Sequence, residues 1–389
     1  MIDILGDIQV LEAFEDAFIT FIDAGERMLK YALDQAEILL KIRSLLLEAR
    51  QNNRRVHTVG MGRSGLCGKF LAELLKLRRV KSSVIGTTLA KPVNNGDVVF
   101  AISGSGWTKT TTLYTELCLE RGATVIAFTA TKGSKLDRLS DYSLYLLGKP
   151  LPTSTDYIAR KISGDYRSPL APMGSISEFS TLLVSAGIAN MIDSEEPIEE
   201  FKRTLTTIIN VAKSSLSKLL IHRDNLNRLI AYYEVAKKKN HSCFFGGMGL
   251  LSYISDIISI RFQHLGIDVS DISDWILRKK EDVLTILSGS GEASILKILA
   301  EEGKRSGMKI LSIVGNDEST IAKLSDAFLL LEDIEERKKY FELGREELGR
   351  FIPAFEISCF ILYESIIAEL ANRFGITEEA MKEMHANIE

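Results

Sequence analysis

A short run of small and hydroxylated residues, Ser103-Gly104-Ser105-Gly106-Trp107-Thr108, follows the apolar segment Val98-Val99-Phe100-Ala101-Ile102 and precedes a helix-like pattern from Thr110. Strand, Ser/Gly turn and helix start, in that order, build an anion pocket. The glycines let backbone N–H groups close around an oxyanion, the hydroxyls add donors, and the positive end of the helix favours a phosphate dianion. Ser103, Gly104, Ser105 and Thr108 are therefore candidate phosphate ligands. The phrase returns 185 residues later as Ser288-Gly289-Ser290-Gly291, after Val283-Leu284-Thr285-Ile286-Leu287. It adds Ser288 and Ser290 as candidates and marks a repeated unit.

A second small-residue turn, Gly60-Met61-Gly62-Arg63-Ser64-Gly65, follows Val56-His57-Thr58-Val59. It contributes Gly62, Arg63 and Ser64, with Arg63 the preferred cation for a phosphate or other anionic oxygen. Its GxGxxG spelling raises a dinucleotide reading, which needs an acidic residue ~20 positions on to hold the ribose. The segment Ser82-Ser83-Val84-Ile85-Gly86-Thr87-Thr88 contains no acid. One phosphate plus a polyol suits two hydroxyl-rich turns at neighbouring strand ends better. In the second half the turn reads Gly247-Met248-Gly249-Leu250-Leu251, and Glu292 follows Gly291. A carboxylate there repels an incoming phosphate. The second pocket is thus expected to be scaffold rather than site.

The elements that must position these turns are legible as an alternation of strands and helices. Residues 8–50 carry apolar residues at helical intervals; strands are expected at 56–59, 82–85, 98–102, 124–128 and 143–147, with helices between them. The second half replays this with a helical region over 198–239 and strands at 243–247, 268–272, 283–287, 309–314 and 327–331. Leu139-Ser140-Asp141 also recurs, as Leu324-Ser325-Asp326. The expected fold is α/β: two tandem domains, each a mostly parallel five-stranded sheet sandwiched by helices in a flavodoxin-like αβα arrangement. Asp193-Ser194-Glu195-Glu196-Pro197 is the natural linker, giving domains over 1–194 and 195–389. The stretches 148–169 and 332–350 read as extended surface segments.

Composition narrows the function classes. With 389 residues the chain exceeds one ordinary core. Its 48 basic and 52 acidic residues leave no basic block, so no nucleic-acid partner is expected. The four cysteines form no CxxC and the five histidines no HxxxH, so the sequence supports neither metal nor cofactor. No apolar run reaches the ~20 residues of a membrane span, and Met1-Ile2-Asp3-Ile4-Leu5 lacks a basic leader. A cytoplasmic protein without membrane contact is the expectation.

Both halves resemble SIS (sugar isomerase) domains, and more narrowly 6-phospho-3-hexuloisomerase. The resemblance rests on the two turns above, on Leu170-Ala171-Pro172-Met173-Gly174-Ser175-Ile176-Ser177-Glu178, on Phe355-Glu356, and on the ending Glu378-Glu379-Ala380-Met381-Lys382-Glu383-Met384-His385-Ala386-Asn387. It implies isomerisation of a ketohexose 6-phosphate, moving the carbonyl between C3 and C2 through an enediol. It also implies sites at strand C-terminal ends and subunit interfaces, and a homodimer forming a pseudo-tetramer of domains. Phosphoglucose/phosphomannose or aminosugar-phosphate isomerisation shares the tandem plan, and a non-catalytic phosphosugar sensor is a reading of another class.

Such a shift needs a base to carry a proton between adjacent carbons, proton traffic at two oxygens and a phosphate handle. It needs no metal if polar donors stabilise the enediolate. The resemblance places the base at Glu178, early in a helix, with Glu356 its second-half equivalent. His385 lies almost at the C-terminus among few apolar residues, where a proton relay and a solvated tail histidine are the two readings. A composite site is expected, with Arg63, Ser64, Ser103, Ser105, Thr108 and Glu178 from the first half and His385 from the second.

Overall fold

The computed structural model describes residues 11–148, 175–273, 278–332 and 351–384. The apolar spacing of the N-terminal region produces two helices, α1 (Glu12–Leu33) and α2 (Ala36–Gln51), rather than one. They break at Asp34-Gln35, where the Gln35 amide works like a strand partner: Nε2 donates to Tyr145 O at 2.9 Å and Oε1 accepts from Tyr145 N at 2.8 Å. Those bonds cover a sheet edge that would otherwise present open backbone groups.

The first sheet follows: β1 (Val56–Gly60), α3 (Gly62–Leu77), β2 (Ser82–Val84), β3 (Val98–Ile102), α4 (Lys109–Glu120), β4 (Thr124–Thr129), α5 (Lys135–Leu139) and β5 (Tyr142–Tyr145). All five strands are parallel, in the order β2-β1-β3-β4-β5. The chain leaves β1 in one direction to reach β2 and in the other to reach β3, so the order reverses between β1 and β3. At such a point the loops at the strands' C-terminal ends splay apart and leave a crevice. Gly60 and Ile102 are register partners there, which sets both small-residue turns side by side.

Next come α6 (Ser175–Met191), α7 (Pro197–Ile221), α8 (Arg223–Lys239), β6 (Cys243–Gly247), α9 (Leu250–His264), β7 (Val283–Ser288), α10 (Ser294–Arg305), β8 (Lys309–Val314), α11 (Thr320–Leu324), β9 (Ala327–Leu330), α12 (Ala354–Phe374) and α13 (Glu378–Glu383). The second sheet is parallel in the order β6-β7-β8-β9. Among the described residues it has four strands, not the expected five. The segment 268–272 makes one bridge, Cys243 to Val269. Asp271 Oδ1 accepts from Ser273 N at 2.8 Å and closes a tight turn, which ends the pairing after one residue.

One apolar core runs through both halves. α6 is buried along its whole length and α12 over eighteen residues. A helix apolar on all sides must lie inside. Phe179 of α6 stacks on Phe360 of α12 with centroids 6.3 Å apart, and Phe21 of α1 meets both edge-on. The helices preceding each sheet cross over: α1 packs on α12, and α7 packs on α6. The first turns of α3 and α6 are thereby held against elements of the second half. Among the described residues no helix is long and apolar enough to cross a membrane.

Candidate active site

The Gly-rich turn after β1 enters α3 through Gly62, whose φ of 52° belongs to the left-handed region that favours glycine. This conformation starts the helix abruptly and places Arg63 in its first turn. Arg63 is not the exposed cation that a free phosphate handle would be. Its side chain is 8% exposed and aims at the first turn of α6, where Nη1 donates to Ser175 Oγ at 3.1 Å and Nη2 lies 3.4 Å from Glu178 Oε1. Ser177 Oγ donates to the other carboxylate oxygen at 3.3 Å. Glu178 is 6% exposed. Burial raises its pKa above the ordinary carboxylate range, while the adjacent Arg63 guanidinium opposes the rise. A carboxylate tuned upward is closer to the pKa a general base needs near neutral pH.

The Ser103 loop closes against the same turn. Gly104 sits so near α6 that an added Cβ would stand 2.6 Å from Ser177 Oγ and 2.9 Å from Ser177 Cβ. Only glycine lets the loop backbone and the glutamate-bearing turn approach this closely. Ser103 Oγ lies 3.0 Å from Thr108 Oγ1 and accepts from Gly106 N at 3.1 Å; Ser105 Oγ accepts from Trp107 N at 3.2 Å. Ser103 is buried, Thr108 half-buried and Ser105 exposed. The hydroxyls are pre-gathered at one mouth, with Ser64 half-buried on the neighbouring turn. Gly104→Ala should therefore push α6 from the loop and lower turnover by about 10²-fold, the order expected when a reacting group is misplaced by an ångström. A steady-state assay checks this, with a melting curve to show that the fold survives.

The equivalent place in the second half is filled differently. Leu250 and Leu251 occupy the positions of Arg63 and Ser64 and are buried in the shared core. Ser288 and Ser290 repeat the local bonds, accepting from Gly291 N and Glu292 N at 3.2 Å each. The Glu292 carboxylate accepts from Thr320 N at 2.7 Å and pairs with Lys297 at 3.1 Å. The hydrogen bond from Thr320 leads the causes that hold its pKa below the ordinary range. An anion is thus built into the protein beside this loop. Glu356 is buried in the first turn of α12. His385 and Pro172-Met173-Gly174 lie outside the described residues, as do 149–169 and 333–350.

Sequence reasoning missed three residues of this region. Ser175 Oγ, besides accepting from Arg63, donates to Glu364 Oε2 at 2.9 Å. Glu364 is paired with Arg261 Nε at 3.1 Å. The available signal was a charged residue, Arg261 or Glu364, inside each of two largely apolar helical runs. A separate cavity of about 590 Å³ opens by β5, lined by Asp34, Glu37, Asp137 and Asp141. Four carboxylates suit it poorly to phosphate, and its lining includes no residue of the Ser103 loop.

The SIS domain model matches residues 50–157, which span both small-residue turns. An uncharacterized protein of Aeropyrum pernix is 38% identical over 151 residues, covering 39% of this chain and 71% of that one. The chain belongs to the SIS-domain family. Another relative, the 3-hexulose-6-phosphate isomerase of Methylomonas aminofaciens, is 29% identical over 148 residues, 38% of this chain and 80% of its own. The tagatose-6-phosphate ketose/aldose isomerase structure from Escherichia coli has the same fold across 94% of both chains, at a TM-score of 0.65 and 14% identity. That likeness of fold spans both halves of the chain.

Proposed function

We propose that the protein is a phosphosugar isomerase that interconverts 3-hexulose 6-phosphate and fructose 6-phosphate, without a metal, at one site at the first sheet's switch point. The observation that carries this reading is Glu178, a buried carboxylate with raised pKa, set against Arg63 and next to Ser177, which the Ser103 loop approaches at Gly104. Ser103, Ser105, Thr108 and Ser64 hold the phosphate. Glu178 removes the proton from C3 of fructose 6-phosphate, giving the 2,3-enediol, and returns it at C2, leaving the carbonyl at C3. Arg63 keeps the carboxylate oriented and offsets the charge that develops on the oxygens. His385 is proposed to move protons at those oxygens, and a homodimer is proposed to bring the tail of one half near the site of another. The chain is read as a duplicated unit whose halves meet at 194–195, working in the cytoplasm.

Incubation with fructose 6-phosphate in deuterium oxide tests this. Deuterium entering at C3 is the expected result. Deuterium at C1 would mean the 1,2-enediol of an aldose–ketose isomerase instead, and binding without exchange would mean a sensor. The one-site reading predicts asymmetry between the loops. Ser103→Ala should raise KM about tenfold, the worth of one hydrogen bond to a charged group. Ser288→Ala should change it by less than about twofold, since the loop it belongs to is already satisfied. Equal losses would overturn the single site.

A further inference from the structure

Arg261 of α9 and Glu364 of α12 belong to the second half, yet they end on the first half's site. Arg261 is fully buried and Glu364 is 2% exposed. Arg261 Nε lies 3.1 and 3.3 Å from the two Glu364 oxygens, and its Nη1 lies 3.2 Å from His264 Nδ1. Its buried Nη2 finds no hydrogen-bond partner among the described residues. A buried ion pair with an unsatisfied donor is a poor way to gain stability, because the desolvation cost offsets the attraction. The fold itself shows that the charges are dispensable for packing. The residues at the matching positions of α3 and α6 are Leu74 and Ala186, both buried and apolar. Arg63 and Ser175 likewise have Leu250 and Pro353 as their second-half counterparts. The polar chain from Arg261 through Glu364 and Ser175 to Arg63 is therefore built at one of the two equivalent places only, and it is the place that carries Glu178.

We propose that Arg261 and Glu364 are positioning residues for the site of the first half: clamped by Arg261, Glu364 fixes the Ser175 hydroxyl, which holds the Arg63 guanidinium against Glu178. The direction of the bonds supports this. Ser175 Oγ has one proton, and giving it to Glu364 leaves its lone pairs aimed at Arg63 Nη1. An apolar residue in place of Glu364 would leave that hydroxyl free to rotate. The second half thus serves the first as a fixed support, which accounts for its keeping a paired charge deep in the core while its own turn became Leu250-Leu251.

The inference rests on Glu178 as the proton carrier, so the test includes a readout independent of activity. The double variant Arg261→Met/Glu364→Leu removes both charges at similar volume and is expected to fold, as replacement of a buried pair by apolar residues is commonly neutral. With fructose 6-phosphate as probe, its C3 exchange rate at saturation should fall by about tenfold or more, with KM changed by less than about twofold. Ser175→Ala should give the same loss, and the two sets combined should be no worse than either. In 15N spectra the Arg63 guanidinium signals should be separate in the wild-type protein, where its contacts hinder rotation, and should merge in the variants as rotation is freed. Wild-type exchange with unchanged Arg63 signals in a folded double variant would overturn the proposal, as would strictly additive losses. If the wild-type protein exchanges no proton of fructose 6-phosphate, the isomerase reading fails, and the Arg63 signals still decide the positioning.

Discussion

Glu178→Gln is expected to slow C3 proton exchange by about 10²–10⁴-fold, the range typical of removing a general base. Glutamine keeps the volume; its carbonyl oxygen can still accept from Arg63, and the Ser177 hydroxyl can turn to accept from its NH2, so the first turn of α6 keeps its place. It cannot take a proton from carbon. Affinity for fructose 6-phosphate should stay within a few fold, because the hydroxyls of the Ser103 loop lie on a different element. Rate and KM measured with deuterium loss, beside a titration by calorimetry, check both statements. Glu356→Gln is the internal control. If the base lay in the second half, it would take the large loss and Glu178→Gln the small one.

Arg63→Leu, which copies the second-half residue Leu250, should be comparably damaging for another reason. Burial is the main cause of the raised Glu178 pKa, and Arg63 is the main influence opposing it. Without the guanidinium the pKa climbs further, so less carboxylate is present at neutral pH and the acid limb of the rate profile moves to higher pH. The sign for stability follows from the same shift. A carboxyl whose folded pKa exceeds the unfolded value of about 4.3 adds stability that is complete below that value. That contribution is lost as pH rises through the folded pKa. In the variant the loss should be steeper, with Tm falling faster than in the wild type as pH rises above the unfolded carboxyl value of about 4.3. At neutral pH, leaving one buried partner alone should cost about 3–5 kcal/mol. Turnover at pH 7 should fall by about 10²-fold, and a parallel set of melting curves across pH separates the two effects. Superimposable pH profiles for variant and wild type would remove Arg63 from control of Glu178.

Much of the first half was legible before any coordinates. The Ser103 loop lies at a strand end because Val98–Ile102 is an unbroken apolar run, which only a strand buried on both faces tolerates. The missing ribose acid after β2 points away from a nucleotide and toward a sugar phosphate, a reading that SIS-domain membership supports. The surroundings of Arg63 are another matter. Its type beside a small-residue turn points to a phosphate or enediolate oxygen, and only the packing of α3 on α6 shows that its guanidinium also meets Glu178 and Ser175. Residues 63 and 178 are far apart in sequence, and nothing local encodes their meeting. The second sheet's missing fifth strand has a similar origin: Val269 has a strand former's side chain, but a turn two residues later ends the ladder.

The sequence alone determined the alternation of strands and helices, the two small-residue turns and the inequality of the halves, since Leu250, Leu251 and Glu292 are visible as residue types. Each depends on neighbours within a few positions, where periodicity and turn chemistry act. Only the tertiary structure decided that the two turns adjoin, that Gly104 touches Ser177, and that Arg261 and Glu364 reach across to Ser175. Those contacts come from burying α6 and α12 against each other, and burial is non-directional: it brings distant helices together without specifying in either one which polar side chain its partner will meet.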